Sequence, residues 1–407
     1  MMRILILTAV YPPDPAAVGQ HLSDGAMALA KRGHIVRVLT ADSGYDNPSI
    51  RFPRYERYGS LEIIRLRWSS FGKSSMVVRL IGQISFVFQT LIKALFDYRP
   101  DIILITTAPP LGVISAYIVS KLRKSKLVYW VMDINPDEAI ALGVVKKSSI
   151  MAILLEFINK IAISNSHQII VLDFNMARRI KHKATLKREP IIIPPWPHED
   201  ALKKSNSNGM KFRAKYCLEN KFIVMYSGNH SWVHPLDTII EAAKQLEYRK
   251  DIIFLFVGGG IEKKKVEQAI KNGAQNILSL PYQPLSQLGE SLAAADVHVL
   301  VMGEAMVGIV HPCKIYGAMA VGRPIIAIAP ENSHVSDIIN KYKIGLRFNH
   351  GDVDGVVNGI LIFAGMGKEK REMMGKNALI AIREEFSQKK LVNMFIKTLE
   401  EIINLKR

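Results

Sequence analysis

The chain has 407 residues, 49% of them apolar and 22% charged, which is enough for two domains with separate cores and excludes a disordered protein. A formal charge of +18 points to a negatively charged partner, a phosphorylated substrate or an anionic membrane surface; nothing resembles a zinc finger, a homeodomain-like helix or an aromatic RNA-stacking motif, so nucleic acid is set aside. Two cysteines, Cys217 and Cys313, exclude a disulfide framework and fit a reducing cytosol.

The first apolar run is too short for a signal peptide and reads as a strand over Ile4–Leu7. Tyr11-Pro-Pro-Asp-Pro-Ala-Ala-Val-Gly-Gln-His21 follows as a strand-to-helix loop, in which Gly19 lets the backbone approach a ligand and the helix expected from Leu22 offers free amides. An ordinary turn would carry the same residues. A helix over Leu22–Arg32 ended by Gly33, then a strand over Ile35–Leu39, complete a right-handed βαβ unit. Further strands are predicted at Ile63–Leu66, Ile102–Ile105, Leu127–Val131 and Ile169–Leu172, ending at Ile191-Ile-Ile-Pro-Pro-Trp-Pro197.

Two segments between these strands carry more than packing. Met76–Phe96 is long enough to span a bilayer, but Arg79, Gln83, Gln89 and Lys93 interrupt it. It reads as an interfacial helix or an ordinary buried one, and Arg65, Arg67, Lys73, Arg79 and Lys93 tip the reading toward an anionic membrane face. Tyr129-Trp-Val-Met-Asp-Ile-Asn-Pro-Asp-Glu138 places Asp133 at the carboxyl end of a strand, where it can accept hydrogen bonds from hydroxyls or take a proton as base. Asp137 and Glu138 fit the cap and first turn of the next helix, and their spacing from Asp133 does not make a metal-binding Asp-x-Asp pair. The prolines at 194–197 and the polar run Lys203–Gly209 mark a linker.

A second series of alternating strands and helices follows: strands at Phe222–Tyr226, Ile252–Val257, Ile277–Leu280, Val297–Val301 and Ile325–Ile328, with helices at Leu236–Leu246, Val266–Asn272 and Leu285–Ala294 between them. Val307–Pro324 is its most informative stretch. Gly308 allows close backbone approach, Pro312 suits the first position of a helix, Lys314 falls in the first turn, and Gly322 with Pro324 closes it. A lysine there opposes the helix dipole unless an anion sits between the ammonium and the free amides. A short core helix with a lysine in water would share the pattern.

With these residues in view, nearly the whole chain resembles the group 1 (family 4) glycosyltransferases of the GT-B fold, of the bacterial polysaccharide type. The resemblance implies two Rossmann-like doubly wound parallel-sheet domains facing a central cleft. It places an acceptor-binding domain at 1–200, a domain for a nucleotide-diphosphate sugar at 201–385, and a last helix, 386–407, returning to the first domain. It also implies sugar transfer with retention, and neither cofactor nor metal. Gly19 and His21 then belong to the loop near the donor phosphates and acceptor, and Asp133 to the acidic segment of the cleft.

In the donor half, Met225-Tyr-Ser-Gly-Asn-His-Ser-Trp-Val-His234 stands where the family has an arginine and a lysine on the pyrophosphate. Here Gly228 is kept, but Asn229 falls near the arginine and His234 near the lysine, and His234 carries charge only when protonated. Lys314 is thereby left as the main cation. Gly258 and Gly259 match the strand-end glycine run, Tyr282 is a stacking candidate for the base, and Gly308, Ile309 and Val310 form the loop before Lys314. Glu304 stands for the first of the family's two glutamates, whereas Gly317 occupies the place of the second, so the ribose contact is unassigned.

The expected activity is transfer of a hexose-type sugar to a lipid-linked or polysaccharide acceptor, by a cytoplasmic protein peripheral on the inner face of the plasma membrane. A nucleotide-sugar epimerase and a membrane-attached, non-catalytic subunit of the same fold remain open at this point.

Overall fold

The computed structural model describes residues 1–14, 16–44, 47–69, 71, 76–197 and 209–404. It divides into two units, Met1–Pro194 with Leu391–Arg407, and Pro195–Lys390. Most of the expected linker, 203–208, and Lys73 lie outside the described residues.

In the first unit, short runs of Ile, Leu and Val are buried on both faces of a parallel sheet, which is why they read as continuous apolar stretches. The strands are β1 (Arg3–Leu7), β2 (Ile35–Ala41), β3 (Tyr55–Tyr58), β4 (Leu61–Leu66), β5 (Ile102–Thr106), β6 (Lys126–Trp130), β7 (Gln168–Val171) and β8 (Ile191–Ile192). Their order in the sheet is β3-β4-β2-β1-β5-β6-β7-β8, all parallel except the β3–β4 hairpin at one edge. The chain starts at β1, winds outward to one side and returns to the other at β5. The carboxyl ends of β1 and β5 are therefore the switch point of the sheet, where Thr106 Oγ1 hydrogen-bonds Thr8 Oγ1 at 3.3 Å.

The helices of this unit are α1 (Ala17–Lys31), α2 (Met76–Phe96), α3 (Gly112–Leu122), α4 (Asp137–Ala141), α5 (Ile150–Asn165) and α6 (Phe174–Lys183). The first helix starts at Ala17 rather than Leu22, so Gly19 and His21 lie inside its first turns and not in a loop. A Cβ at Gly19 would stand 3.0 Å from the Tyr11 Cα, so the close approach there is of the chain to itself. Arg65, expected among the surface cations, is instead buried: its guanidinium donates to the Pro12 and Pro53 carbonyls at 2.7 Å each and pairs with Glu56. It ties the loop after β1 to the edge hairpin.

The second unit has a six-stranded, wholly parallel sheet of β9 (Phe222–Ser227), β10 (Ile252–Val257), β11 (Ile277–Leu280), β12 (Val297–Val301), β13 (Ile325–Ile328) and β14 (Gly345–Phe348), in the order β11-β10-β9-β12-β13-β14. Its switch point lies between β9 and β12. Both flanks of the sheet are filled with apolar side chains, with Phe254, Phe256, Phe363 and Ile326 at its centre.

The chain boundaries differ slightly from the expected 200/201 and 385/386: the first unit ends at Pro194, and the last helix, Gln388–Asn404, joins that unit from Leu391. Phe395 anchors it. This ring is fully buried, 4.8 Å from the Trp130 ring, and lies against Gly25, where a Cβ would approach it to 2.8 Å. At the rim, Glu400 accepts from Arg32 and contacts His34, both at 3.1 Å. Deleting so large a buried ring leaves a cavity, so Phe395→Ala is expected to destabilise the first unit by about 3–5 kcal/mol, measured by chemical denaturation. A loss near that of a surface substitution would show that the last helix is not part of its core.

Candidate functional site

The second unit assembles most of the expected donor residues at the carboxyl ends of β9, β10 and β12. Gly228 follows β9 with φ of 126° and Gly258 follows β10 with φ of 138°, conformations that disfavour a side chain. The space is as restricted as the backbone. A Cβ at Gly258 would stand 2.0 Å from the Gly228 carbonyl oxygen, and one at Gly228 would stand 2.8 Å from the Lys314 Cε. The aliphatic stem of Lys314 thus runs across the bare backbone of Gly228.

That path delivers the ammonium inward. Lys314 Nζ donates to the Asn229 carbonyl at 2.6 Å and to the Tyr226 hydroxyl oxygen, and it lies 4.2 Å from the centroid of the Tyr226 ring. The Tyr226 hydroxyl in turn donates to the same Asn229 carbonyl at 2.9 Å. Among the described residues these acceptors take two of the ammonium's three N–H donors. Burial, with no carboxylate paired to it among the described residues, pushes the Lys314 ammonium down to about 7.

The two histidines nearby are neutral. His234 is buried, and burial together with the Lys314 charge holds its imidazole well below the ordinary range. The reading of His234 in the place of a second cation is therefore corrected: it offers only a neutral ring, whose buried Nδ1 has no hydrogen-bond partner among the described residues. His230, a residue the sequence reading passed over, is pushed down to about 4 by burial and by Lys314; its Nδ1 bonds the Gly228 carbonyl at 2.9 Å and its buried Nε2 has no partner among the described residues. Asn229 contributes its carbonyl oxygen, and its side-chain oxygen lies where a Cβ on Gly260 would approach to 2.5 Å.

Lys263 was also missed. Its ammonium donates to the carbonyls of Gly258 at 2.7 Å and Leu280 at 3.1 Å, clamping the ends of β10 and β11. Tyr282 leaves its ring 58% exposed while its hydroxyl donates to the Gly259 carbonyl at 3.2 Å, so the ring stands fixed at the edge of the site. Glu304 opens a single turn of 3-10 helix after β12 and is exposed.

Two expectations for the Gly308 loop need correction. The helix is Lys314–Ala320, so Pro312 precedes it and Cys313 is its cap. Gly308 has the left-handed φ of 68°, but the amides of Ile309 and Val310 both donate to the Met306 carbonyl, at 3.0 and 3.2 Å, and the Ile309 side chain is in the core. Those of Ile315 and Tyr316 are engaged by Pro312 and Cys313. A tight turn satisfies its own donors first, so the positive charge of this element resides in the Lys314 side chain rather than in these amides.

In the first unit, Asp133 follows β6, and its backbone N–H donates to Thr107 Oγ1 at 3.3 Å. Thr107, Tyr129, Asn135 and Asn159 line a small cleft beside it, linked by hydrogen bonds from Asn159 to the Asn135 carbonyl at 2.9 Å and from the Tyr129 hydroxyl to Asn159 at 3.2 Å. Burial, and then the charge of Glu138, push the Asp133 carboxyl up to about 7. Asp137 and Glu138 occupy the first turn of α4 as expected, and Asp137 pairs with Arg179 at 3.0 Å and with Lys183.

These shifts have opposite consequences. Because the folded-state carboxyl of Asp133 binds its proton more tightly than an unfolded one, stability is lost as pH rises from about 4 to about 7. Asp133→Asn should therefore raise the melting temperature at pH 8 and leave it unchanged near pH 4; an equal change at both would remove the buried charge from the account. For Lys314, a bound diphosphate would restore the proton, so affinity should fall as pH rises above about 7, by at most about tenfold per pH unit. Calorimetry with a nucleoside diphosphate in two buffers of different ionisation enthalpy reads the proton uptake, which Lys314→Ala should abolish; undiminished uptake in the variant would assign it elsewhere.

Residues 210–380 match the family model described as glycosyl transferases, group 1. The chain is 24% identical over 374 residues to WcaI of Escherichia coli (strain K12), which is named as a colanic acid biosynthesis glycosyl transferase; the match covers 88% of this chain and 91% of that one. Among solved structures, sucrose-phosphate synthase from Thermosynechococcus elongatus superposes with a TM-score of 0.75 at 17% identity, over 99% of this chain and 100% of the other. HepE of Anabaena, solved with UDP-glucose, superposes with a TM-score of 0.73 at 17% identity, over 98% and 100%. These likenesses extend over both units and give the chain the GT-B fold. Residues 210–380 are thus similar to the group 1 glycosyl transferases, and the chain as a whole shares the GT-B fold of these solved structures.

Proposed function

We propose that the protein transfers a hexose-type sugar from a nucleoside-diphosphate donor to a lipid-linked or polysaccharide acceptor in the synthesis of a surface glycan, with retention at the anomeric carbon. The observation that carries this reading is the Lys314 ammonium, held at the glycine-bare ends of β9 and β10 with no carboxylate partner among the described residues. A departing diphosphate develops negative charge, and a cation already fixed in a low-dielectric site stabilises that charge without reorganising. The UDP-glucose complex of HepE and the name of WcaI support the donor class and the glycan setting.

The geometry supports the following roles. Lys314 binds the diphosphate; Gly228, Gly258 and Gly259 keep its path clear; neutral His234 and His230 offer hydrogen bonds to it; Tyr282 presents a ring to the base. Glu304, exposed in the turn after β12, is a candidate for the donor's hydroxyls, and Gly19 lets the start of α1 pack closely on the backbone at Tyr11. Asp133, with a carboxyl poised near neutrality, accepts hydrogen bonds from acceptor hydroxyls and receives the acceptor proton. In this reading attack and departure occur on the same face of the sugar, so no enzyme nucleophile is assigned, and Lys314 supplies the charge a divalent ion would otherwise bring.

The test is release of nucleoside diphosphate from a panel of uridine, guanosine and adenosine diphosphate sugars. Lys314→Ala should lower kcat/KM by about 100-fold or more, about 2.7 kcal/mol of transition-state stabilisation, and the wild-type rate should survive a chelator. An unchanged rate in the variant would sink the assignment of Lys314. Conversion of the donor into a second nucleotide sugar without any acceptor would replace the transferase reading with an epimerase.

A further inference from the structure

The outward face of α2 is built the wrong way round for a helix in water. Val77, Ile81, Ile84, Phe88 and Ile92 recur at spacings of three and four residues, which places them on one stripe, and all are exposed, Phe88 by 63%. Its uncharged polar groups Gln83, Gln89 and Thr90 bond to the protein instead, while the cations Arg79 and Lys93 are exposed. Thr90 is fully buried and donates to Ser115 of α3 at 2.9 Å, Gln83 accepts from the Leu111 amide at 3.3 Å, and Gln89 donates to the Arg67 carbonyl at 2.5 Å. Phe86 and Ala94 are buried beside Thr90.

The same inversion occurs on α5. Ile150, Ile153, Leu154 and Phe157 form its exposed stripe, with Phe157 at 60% and Ile150 at 86%. Helix α3 packs against both α2 and α5, so the two stripes flank one helix on the same side of the sheet. Singly exposed apolar residues are ordinary, but two parallel stripes of them on neighbouring helices need a partner.

The charges around the stripes identify the chemistry of that partner. Helices α2, α3 and α5 carry the exposed cations Arg79, Lys93, Lys121 and Lys160, with Lys146 and Lys147 exposed just before α5. Their one acid, Glu156, accepts from Lys183 at 2.7 Å. An apolar surface ringed by cations and nearly free of acids complements an anionic lipid headgroup layer over its acyl chains. Although Val77–Phe96 is long and apolar enough to cross a membrane, its inward face is committed to α3 and to the sheet, which fits a helix lying along the surface.

We infer that the α2–α3–α5 face of the first unit docks on the surface of a bilayer containing anionic lipids, inserting the α2 and α5 stripes to the depth of the headgroup boundary. This inference is independent of how the donor is bound. The test is co-sedimentation of the full chain with phosphatidylcholine vesicles made with and without phosphatidylglycerol. Binding is expected to the anionic vesicles, weakening as salt rises. The double substitution Ile84→Glu with Phe88→Glu on α2, and separately Phe157→Glu on α5, should each weaken binding by about tenfold or more while leaving the circular-dichroism melting curve and the hydrolysis of soluble donor unchanged.

Wild-type protein that stays in solution with anionic vesicles would overturn the inference, as would variants that bind like wild type. So would equal binding to neutral vesicles at all salt concentrations. A dimer in sedimentation velocity that the same substitutions dissolve, without any vesicle binding, would assign the face to a second copy of the chain instead.

Discussion

A half-buried ammonium group with no carboxylate beside it among the described residues is the constraint around which the second unit is arranged. Taking such a charge out of solvent is unfavourable by several kcal/mol unless dipoles replace the lost hydration. Here the Asn229 carbonyl, the Tyr226 hydroxyl oxygen and the face of the Tyr226 ring do so in part. They stabilise the cation without neutralising it. The site therefore keeps a net attraction for an anion, and burial, which pushes the Lys314 ammonium down to about 7, is consistent with incomplete compensation. This arrangement requires that nothing project from Gly228 or Gly258, and the positive φ values at both positions make glycine the natural occupant. Strand ends, glycines and lysine form one device, and removing any part exposes or expels the charge.

The neutrality of His230 and His234 follows from the same constraint. Each imidazole is buried, and each feels the Lys314 charge at short range, so adding a second proton nearby is doubly disfavoured. Where the family pattern has two cations, this chain has an asparagine and a neutral histidine. The burden of charge falls on one residue. A site with one cation whose proton is held only loosely should be more sensitive to pH than a site with a permanently charged arginine.

Much of this was legible in the residues themselves. The strands β10 and β13 are uninterrupted apolar runs, and β1, β9 and β12 nearly so, because a parallel strand covered on both faces has little polar side to show. The order of strands and helices then fixed the switch points, and with them the ends at which Gly228, Gly258 and Lys314 meet. Less was legible where a residue's partner is distant in sequence. Nothing local distinguishes Arg65 from the surface cations around it, yet it is buried by bonds to Pro12 and Pro53. Lys263 likewise looks like one of three successive surface lysines and clamps two strand ends. The edge strands β3 and β14 carry charged residues and lack the apolar signal, and the first turn of α1 was hidden by the proline-rich loop before it. The Gly308 loop misled for a different reason: a loop that could offer amides to a ligand can also satisfy them within its own turn, and spacing alone does not tell the two apart.

The two faces of the first unit's sheet show why the inverted helices are informative. A doubly wound sheet must be covered on both sides, and the side of α1 is completed by the last helix, whose Phe395 fills the space at Gly25 and Trp130. On the side of α2, α3 and α5, the inward residues Phe86, Thr90 and Ala94 of α2 are fully buried, with Thr90 bonded to Ser115 of α3. Folding therefore gains nothing from apolar residues on the outer stripes of α2 and α5. Side chains such as Phe88 and Phe157 reduce solubility in that position and are not required for packing, so the sequence at these positions answers to something outside the fold.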